Sequence, residues 1–209
     1  MNVAEFKKLP ILGILRGIEL SCVEPLIEAI CSNGLKTIEI TMNTDGAPEL
    51  IRKAVGAAKG KLTIGAGTVL NVKDLKLALS AGATFIVSPV LVDDVMEYCL
   101  KNKIPVFPGA LTPSEIYEAW DSGATMVKVF PAKCFGPEYF KEIKGPFNNI
   151  ELLACAGVTP ENMFQYLSSG ATAVTFGASV FKKELLKNND FGSIGSLIAK
   201  YVQNFERGK

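Results

Sequence analysis

The sequence predicts an α/β fold, a (β/α)8 TIM barrel with eight parallel strands and outer helices, formed as one domain by residues 1–209. Four segments repeat the same pattern of a glycine followed by a short apolar run. A further apolar run precedes each of these segments, and amphipathic stretches separate the runs. Because strands that alternate with helices pair in parallel through right-handed crossovers, eight of them close into a barrel.

The four repeats supply the second, fourth, sixth and eighth strands. Their glycines are Gly34, Gly82, Gly123 and Gly170, spaced roughly as two strand–helix units of about 20–25 residues require. Glycine after a helical pattern is a common C-terminal cap, and the apolar run after it is typical of a strand. The repeats cover residues 32–40, 80–88, 121–129 and 168–176.

The remaining elements fill the intervals between the repeats. The odd-numbered strands are predicted at residues 11–15, 62–65, 104–107 and 150–155. Helices are predicted at residues 22–32, 47–58, 72–80, 93–101, 113–122, 137–144, 160–169 and 191–207. Asn71, Thr112 and Thr159 are predicted N-caps, and proline follows the last two at the first helical position.

Composition and charge exclude several classes of protein. Apolar residues make up 48% and charged residues 21% of the chain, a globular balance that argues against disorder. The net charge of +1 comes from mixed acidic and basic residues, so nothing attracts nucleic acid or an acidic membrane. The chain lacks an apolar run of about 18 residues and an N-terminal signal core, so we expect a cytoplasmic protein without a membrane span.

Two residue counts limit the chemistry. The five cysteines are an odd number without a CxxC pair, which favours reduced thiols over disulfides or a zinc site. The chain has no histidine, which removes Ser-His and Cys-His nucleophiles, imidazole bases and histidine metal sites. The chemistry must therefore use lysine, carboxylates, hydroxyls or the backbone, and we expect no metal and no other cofactor.

Lys128 is the most informative charged residue. It lies in the apolar sixth strand, where Val127 and Val129 flank it and Pro131 ends the segment. A buried ammonium must find a partner or lose its proton, because desolvation lowers a lysine pKa by up to about 3–5 units. A neutral amine is a nucleophile towards carbonyls. The alternative is a structural lysine that pairs with a carboxylate or keeps its head in water.

Glu39 is predicted to share the barrel interior with this lysine. Barrel interiors are filled by layers of four side chains from alternate strands. Glu39, Val87, Lys128 and Thr175 each stand five residues after a repeat glycine and form one such layer if the repeats share register. A buried ion pair is often no better for stability than apolar residues of similar volume, so the pair favours catalysis. A structural ion pair is the alternative.

Three glycine-containing loops at the ends of strands are predicted to bind anions. Residues 156–159 and 177–179 follow the seventh and eighth strands, where a TIM barrel often holds phosphate, and residues 65–68 end the third strand. Small residues let backbone N–H groups approach an anion. Arg16 ends the first strand and can grip a carboxylate through two hydrogen bonds. A rim salt bridge is the alternative for this arginine.

Seven short motifs span nearly the whole chain: PILGILRG (10–17), IEIT (38–41), IGAGTV (64–69), IVSP (86–89), VFPG (106–109), VKVFP (127–131) and KGPF (144–147). In these motifs the chain resembles the family of 2-keto-3-deoxy-6-phosphogluconate (KDPG) aldolases, which includes the 2-keto-3-deoxy-6-phosphogalactonate and 4-hydroxy-2-oxoglutarate aldolases. The resemblance implies a class I, Schiff-base aldolase on a (β/α)8 barrel, commonly a homotrimer, with a place in the Entner-Doudoroff pathway.

The resemblance also implies roles for single residues. Lys128 matches the lysine that forms the Schiff base, and Glu39 matches the acid/base glutamate. Arg16 and Thr68 match the site of the pyruvate carboxylate. The other implied substrate-binding residues are Ser88 and Pro89 in the fourth-strand motif, and Gly157, Ala178 and Ser179 at the phosphate.

The chain departs from the family pattern at two places. Many members carry an arginine in the loop after the second strand, whereas residues 41–44 of this chain contain none, so Arg16 must supply that charge. The loop after the seventh strand commonly contains two glycines, whereas this chain has Cys155, Ala156 and Gly157. Cys155 stands where contacts to the sugar would fall, so both departures bear on the identity of the substrate.

The sequence therefore predicts reversible cleavage of KDPG to pyruvate and glyceraldehyde 3-phosphate, and also of 4-hydroxy-2-oxoglutarate to pyruvate and glyoxylate. One alternative is the galactonate epimer of the same substrate. A second is a non-catalytic phosphosugar-binding barrel in which Lys128 only pairs with Glu39. A third is a barrel isomerase or synthase that uses acid/base chemistry alone.

Overall fold

The computed structural model describes residues 1–208, which contain nine parallel strand segments in one sheet. The segments are β1 Ile11–Leu15, β2 Thr37–Thr41, β3 Thr63–Gly67, β4 Ile86–Val87, β5 Val106–Phe107, β6 Gly109–Ala110, β7 Val127–Val129, β8 Leu152–Ala154 and β9 Ala173–Phe176. Their order in the sheet is β5-β4-β3-β2-β1-β9-β8-β7-β6, so the first strand pairs with both the second and the last.

The segments β5 and β6 are the two halves of the fifth barrel strand. β5 pairs with β4 and β6 pairs with β7, while Pro108 separates them. Proline has no N–H to donate to a sheet, so it interrupts the ladder at this point. Its carbonyl still accepts the Lys128 N–H at 2.8 Å. Nine segments therefore make eight strands, and the predicted (β/α)8 barrel is confirmed.

Ten helices accompany these strands within residues 1–208. They are α1 Val3–Lys8, α2 Val23–Ser32, α3 Ala47–Ala58, α4 Val72–Ser80, α5 Asp93–Lys101, α6 Pro113–Asp121, α7 Pro137–Lys144, α8 Met163–Ser168, α9 Lys183–Lys187 and α10 Phe191–Arg207. The side chains of Asn71 and Thr112 cap α4 and α6, as the sequence predicts. The prediction for α8 is wrong at its start: the Thr159 hydroxyl accepts the Asn162 N–H in a separate turn, and the helix begins at Met163.

Alternation along the strands divides the apolar core into two regions. Residues such as Ile38, Ile40 and Val127 point outward and pack beneath the helices, in the larger cluster. The alternate residues form a smaller cluster inside the barrel, made of Phe6, Leu12, Phe85, Val87, Phe107, Met126, Leu153 and Ala173. Phe6 of α1 lies 6.3 Å from Phe107 between ring centroids, so the N-terminal helix closes the floor of the barrel.

Within the described residues 1–208, no helix combines the length and the hydropathy that a membrane crossing needs.

Candidate active site

A cavity of about 400 Å³ opens where the C-terminal ends of the strands meet. This size falls within the usual range of small-molecule sites. Eight of the nine sequence-predicted site residues line it: Arg16, Glu39, Thr68, Pro89, Lys128, Gly157, Ala178 and Ser179. They come from seven different barrel strands or the loops after them, and only closure of the barrel brings them together.

Ser88 is the predicted site residue that the structure places outside the cavity lining. It is buried directly after β4, and its hydroxyl donates a hydrogen bond of 2.7 Å to the Val90 carbonyl. That hydroxyl therefore already has a partner within its own loop.

Lys128 lies at the centre of β7 and is 6% exposed. Its Nζ stands over the ring of Phe130, 5.3 Å from the centroid, a distance at which the ring attracts a cation. Among residues 1–208, no carboxylate oxygen lies within 4.0 Å of this nitrogen. The direct Lys128–Glu39 ion pair of the structural alternative is therefore not formed, and the amine faces the cavity without an anionic partner.

Glu39 lies on β2 and is 1% exposed. Its Oε2 is buried without a hydrogen-bond partner in residues 1–208. Burial raises the pKa of this carboxyl above 4.5, while the positive charges of Lys128 and Arg16 lower it by less. The carboxyl can therefore hold a proton at a higher pH than an exposed glutamate can, which suits a group that transfers protons.

Gly67 makes the room that Glu39 occupies. A Cβ added to Gly67 would lie 2.2 Å from Glu39 Oε1, closer than any side chain could remain. The glycine of the IGAGTV motif is therefore required by the packing of the carboxylate. Thr68, the next residue, has a φ of +56°, a backbone conformation that costs a threonine energy and often marks a functional site.

Arg16 and Thr68 meet on the rim of the cavity. Arg16 Nη2 donates to Thr68 Oγ1 at 3.5 Å, and no ion pair holds this guanidinium among residues 1–208. The rim salt bridge considered from the sequence is therefore not formed. An exposed guanidinium beside a hydroxyl can bind a carboxylate with charge-assisted hydrogen bonds.

The loops after β8 and β9 present unpaired backbone donors to the same cavity. In the described part of the chain, the N–H groups of Gly157, Ala178 and Ser179 donate to no protein acceptor. The first loop is held in place because Tyr201 Oη donates to the Val158 carbonyl at 2.9 Å. Asn162 Nδ2 also donates to the Gly157 carbonyl, at 2.9 Å. Fixed, unpaired N–H groups of this kind bind anions.

Two consecutive left-handed residues shape the loop after β8. Ala156 has a φ of +75° and Gly157 a φ of +90°. A Cβ on Gly157 would lie 2.5 Å from the Cβ of Lys133, so glycine is needed there both for conformation and for space. Ala156 adopts a glycine-like conformation with a side chain present, which strains the loop.

The family model "Aldolase: KDPG and KHG aldolase" matches residues 3–197 of this chain. The chain belongs to the KDPG and KHG aldolase family. The resemblance identified from the sequence motifs is thereby confirmed, and the protein is an aldolase, a carbon–carbon lyase.

Named aldolases resemble the chain over most of its length. The 2-dehydro-3-deoxy-6-phosphogalactonate aldolase of Escherichia coli is 32% identical, over 84% of this chain and 86% of its own. The 2-dehydro-3-deoxy-phosphogluconate aldolase of Pseudomonas aeruginosa is 30% identical, over 96% of this chain and 90% of its own. Both epimeric activities therefore occur among similar proteins.

Solved aldolase structures have the same fold. A native KDPGal structure superposes with a TM-score of 0.88 at 29% identity and covers 96% of both chains. The KDPG aldolase of Legionella pneumophila, solved with pyruvate as a covalent carbinolamine intermediate, gives a TM-score of 0.87 at 27% identity. The match covers 95% of this chain and 97% of the Legionella chain.

The structure adds lining residues of the aldolase cavity that the sequence did not assign to the site, among them Ile14, Phe130 and Thr175. Thr175 is 2% exposed, and its Oγ1 has no hydrogen-bond partner in residues 1–208. The sequence feature that could have assigned Thr175 to the cavity is its position in the repeat, five residues after Gly170. Of the four residues predicted to form one layer, Val87 alone packs in the apolar cluster inside the barrel and does not line the cavity.

Proposed function

We propose that this protein is a class I aldolase that reversibly cleaves KDPG to pyruvate and glyceraldehyde 3-phosphate through a Schiff base on Lys128. One observation carries the proposal: a buried lysine amine without an anionic partner shares a cavity with a buried carboxyl group, one oxygen of which has no hydrogen-bond partner in residues 1–208. Support comes from the Legionella relative, in which pyruvate forms a covalent carbinolamine.

The reaction starts when the neutral amine of Lys128 attacks the C2 ketone and forms a carbinolamine. Glu39 transfers the protons that let the C2 hydroxyl leave as water, which gives the iminium. The iminium accepts the electron pair of the C3–C4 bond, and that bond breaks as the C4 hydroxyl loses its proton. The aldehyde leaves, the remaining enamine is protonated, and hydrolysis releases pyruvate.

Binding at both ends of the substrate positions the bond that breaks. Arg16 and Thr68 would hold the carboxylate, while the N–H groups of Gly157, Ala178 and Ser179 would hold the phosphate. Holding the ends while the reacting bond lies near the amine lowers the entropic part of the barrier. Pro89 would add an apolar wall. A contact between substrate and Ser88 stays a prediction from the sequence.

Borohydride trapping tests the Schiff base directly. Wild-type protein treated with pyruvate and sodium borohydride should gain the mass of one reduced pyruvate, located on the peptide that contains Lys128. Lys128→Met should gain none, whereas the control Lys101→Met, at an exposed position on α5, should gain as much as wild type. Absence of added mass on wild type, or equal labelling of Lys128→Met, would contradict the proposal.

The same experiment separates the alternatives of other classes. A non-catalytic phosphosugar-binding barrel would bind the sugar phosphate without turnover and without labelling. An isomerase or synthase that uses acid/base chemistry alone would lose activity in Glu39→Gln but leave Lys128 unmodified. Labelling at Lys128 together with pyruvate release excludes both.

A second candidate substrate is the galactonate epimer, 2-keto-3-deoxy-6-phosphogalactonate. It is favoured by the Escherichia coli relative at 32% identity and by the native KDPGal structure. Cys155 lines the cavity where the hydroxyls of the sugar would lie, and its thiol is a weak hydrogen-bond partner. Comparing kcat/KM for the two C4 epimers decides between strict and relaxed specificity. Turnover of 4-hydroxy-2-oxoglutarate, which has no phosphate, is the third comparison.

We also propose that the protein works as a homotrimer. An apolar surface, here called the rim patch, consists of the exposed Val90, Phe130 and Phe135 together with the half-buried Leu111 and Tyr139. Phe135 is 58% exposed and lies 4.9 Å from the Tyr139 ring between centroids. A contiguous patch of this type commonly marks a protein–protein contact.

The proposal places the protein in the cytoplasm and in the Entner-Doudoroff pathway. Support comes from the resemblance to aldolases of phosphorylated sugar acids, because sugar phosphates are made and consumed inside cells. Deletion of the gene, followed by growth on gluconate, tests the pathway: growth at the wild-type rate without accumulation of the keto-acid phosphate would contradict it.

A further inference from the structure

Thr175 is a buried hydroxyl in the catalytic cavity to which the proposed mechanism gives no task. It lies on β9, is 2% exposed, and its Oγ1 has no hydrogen-bond partner among residues 1–208. Buried hydroxyl groups without a partner are costly, and they are rare in native proteins. Thr175 and Glu39 Oε2 share this property and line the same cavity.

The strand register places these two groups on either side of β1. Thr175 on β9 pairs with Leu12 of β1, and Glu39 on β2 pairs with Ile14 of β1. Neighbouring strands lie about 4.8 Å apart, so the backbones of β9 and β2 stand about 10 Å apart. A threonine side chain is too short to span that gap to the carboxylate. One small molecule between them can accept or donate hydrogen bonds at both ends.

Cys155 completes this polar region. Burial raises the pKa of the Cys155 thiol, so the thiol stays protonated, although the charge of Lys128 and an interaction with Thr175 act in the opposite direction. The thiol therefore lies close to Thr175 but provides no hydrogen bond of standard geometry to its Oγ1. It is a weak additional partner and not a competing nucleophile.

We propose that Thr175 is a positioning residue whose hydroxyl holds the water that enters and leaves the Schiff-base carbon, between itself and Glu39. This inference rests on the proposed aldolase function. In hydrolysis, the bond between the water oxygen and C2 forms, the C=N π electrons return to the Lys128 nitrogen, and the released proton goes to the Glu39 carboxylate. The carbinolamine O–H proton then moves to nitrogen, the C2–N bond breaks, and pyruvate leaves. Dehydration is the reverse sequence.

Oxygen exchange into pyruvate isolates this step. Pyruvate in H₂¹⁸O gains label at C2 through its spontaneous hydrate and, in addition, whenever the Schiff base forms and is hydrolysed, so the rate measured without enzyme is subtracted. The variant Thr175→Val removes the hydroxyl but keeps the shape, and Thr175→Ser keeps the hydroxyl. Thr37→Val is the matched control, because Thr37 is an equally buried threonine on β2 that does not line the cavity.

Thr175→Val should slow enzyme-catalysed oxygen exchange and kcat by roughly 10–100-fold, less than the roughly 10²–10⁴-fold contributed by a direct general acid or base, because Thr175 acts only through the water. The amount of Schiff base trapped by borohydride after long incubation should not change. Thr175→Ser should restore most of the rate, and Thr37→Val should exchange as wild type does. Thermal unfolding checks that each variant is folded, and Thr175→Ala, which also removes the hydroxyl, carries the test if Thr175→Val is not.

Three outcomes would overturn the inference. Unchanged oxygen exchange in Thr175→Val would show that the hydroxyl does not act on the water. A higher KM for the sugar phosphate with normal exchange would assign Thr175 to the sugar instead. A Thr175→Ser variant as slow as Thr175→Val would point to packing. If wild type itself neither exchanges oxygen nor is labelled, the proposed function fails, which is a distinct result.

Discussion

Glu39 is the residue for which burial has the clearest consequence. One of its oxygens has no partner in the described chain, and desolvation raises the pKa of its carboxyl above 4.5. The folded protein therefore binds this proton more tightly than the unfolded chain does. The free energy of unfolding therefore falls as the pH rises from about 4.5 to the raised pKa of Glu39, because the buried carboxyl group ionises over this range. The same property that suits proton transfer thus lowers the stability of the fold.

Glu39→Gln should change how stability depends on pH. The variant cannot ionise at this position, so its melting temperature relative to wild type should increase as the pH rises above 4.5 and then level off. Differential scanning calorimetry at pH 4 to 8 measures this difference. Glu49→Gln, at an exposed position on α3, controls for the loss of a carboxylate in general. A difference in melting temperature between Glu39→Gln and wild type that stays constant from pH 4 to 8 would contradict the raised pKa of Glu39.

The variant Ala156→Gly tests whether strain in the loop after β8 weakens phosphate binding. Ala156→Gly removes a Cβ from a residue with a φ of +75°, so it should raise the free energy of unfolding by up to about 1 kcal/mol. It should also lower KM for the phosphorylated substrate, because the backbone can then approach the anion more closely. Ala81→Gly, at a φ of −83°, should instead destabilise the protein. Urea unfolding and steady-state kinetics measure both effects.

Ser88 and Thr175 mark the limit of sequence analysis at single residues. Both hydroxyls lie on or next to barrel strands, and nothing in the sequence tells which has a partner. The Ser88 hydroxyl bonds to the Val90 carbonyl because the chain turns there, whereas the Thr175 hydroxyl, although close to the Cys155 thiol, makes no hydrogen bond of standard geometry within residues 1–208. Lys128 and Glu39 were predictable because a charge in an apolar strand contradicts its surroundings.

At the scale of elements, α10 fixes the position of the predicted phosphate-binding loop after β8 from the outer side of the barrel. Tyr201 lies on this helix and its hydroxyl donates to the Val158 carbonyl in the loop after β8. The contact joins two segments far apart in sequence, so the position of a helix on the outside of the barrel determines the shape of the rim.

Tyr201→Phe should loosen that loop. Loss of the hydroxyl leaves the buried Val158 carbonyl without its partner, which should cost about 1–3 kcal/mol of stability. KM for the phosphorylated substrate should rise while oxygen exchange into pyruvate stays normal. Tyr98→Phe on α5 is the matched control and should change neither value. Normal KM in Tyr201→Phe would mean that the loop does not depend on this bond.

The elements that sequence analysis missed are short or interrupted. The glycine repeats predicted four strands, and the intervals predicted the others, since both patterns recur along the chain. Helices α1 and α9 contain only six and five residues, too few to show a helical period. The break at Pro108 was not predicted either, because a proline after an apolar run also fits a simple strand end.

At the scale of the whole molecule, the rim patch lies next to the cavity, because Phe130 belongs to both. A subunit that covers the patch would therefore also touch the wall of the active site. Assembly and catalysis would then depend on the same residues, and a change of the patch should affect both.

Phe135→Glu should convert the proposed trimer to monomers. The substitution puts a charge into the rim patch, which an apolar contact does not tolerate without a partner. Light scattering coupled to size-exclusion chromatography gives the mass of the species in solution. Leu77→Glu is the control, because this leucine is 42% exposed on α4, away from the patch. A monomeric wild type, or a trimeric Phe135→Glu, would contradict the proposed assembly.

Within residues 1–208, α1 and the aromatic residues above it fill the bottom of the barrel, and the cavity opens at the C-terminal ends of the strands. The two products are expected to leave the cavity in a fixed order. In the proposed mechanism the pyruvate half stays covalently bound to Lys128 after the C3–C4 bond breaks, so we expect the aldehyde to depart first and pyruvate last. Pyruvate should therefore inhibit cleavage competitively with the sugar acid, and the aldehyde non-competitively. The aromatic residues that close the floor of the barrel would then contribute to the order in which the products leave at its open end.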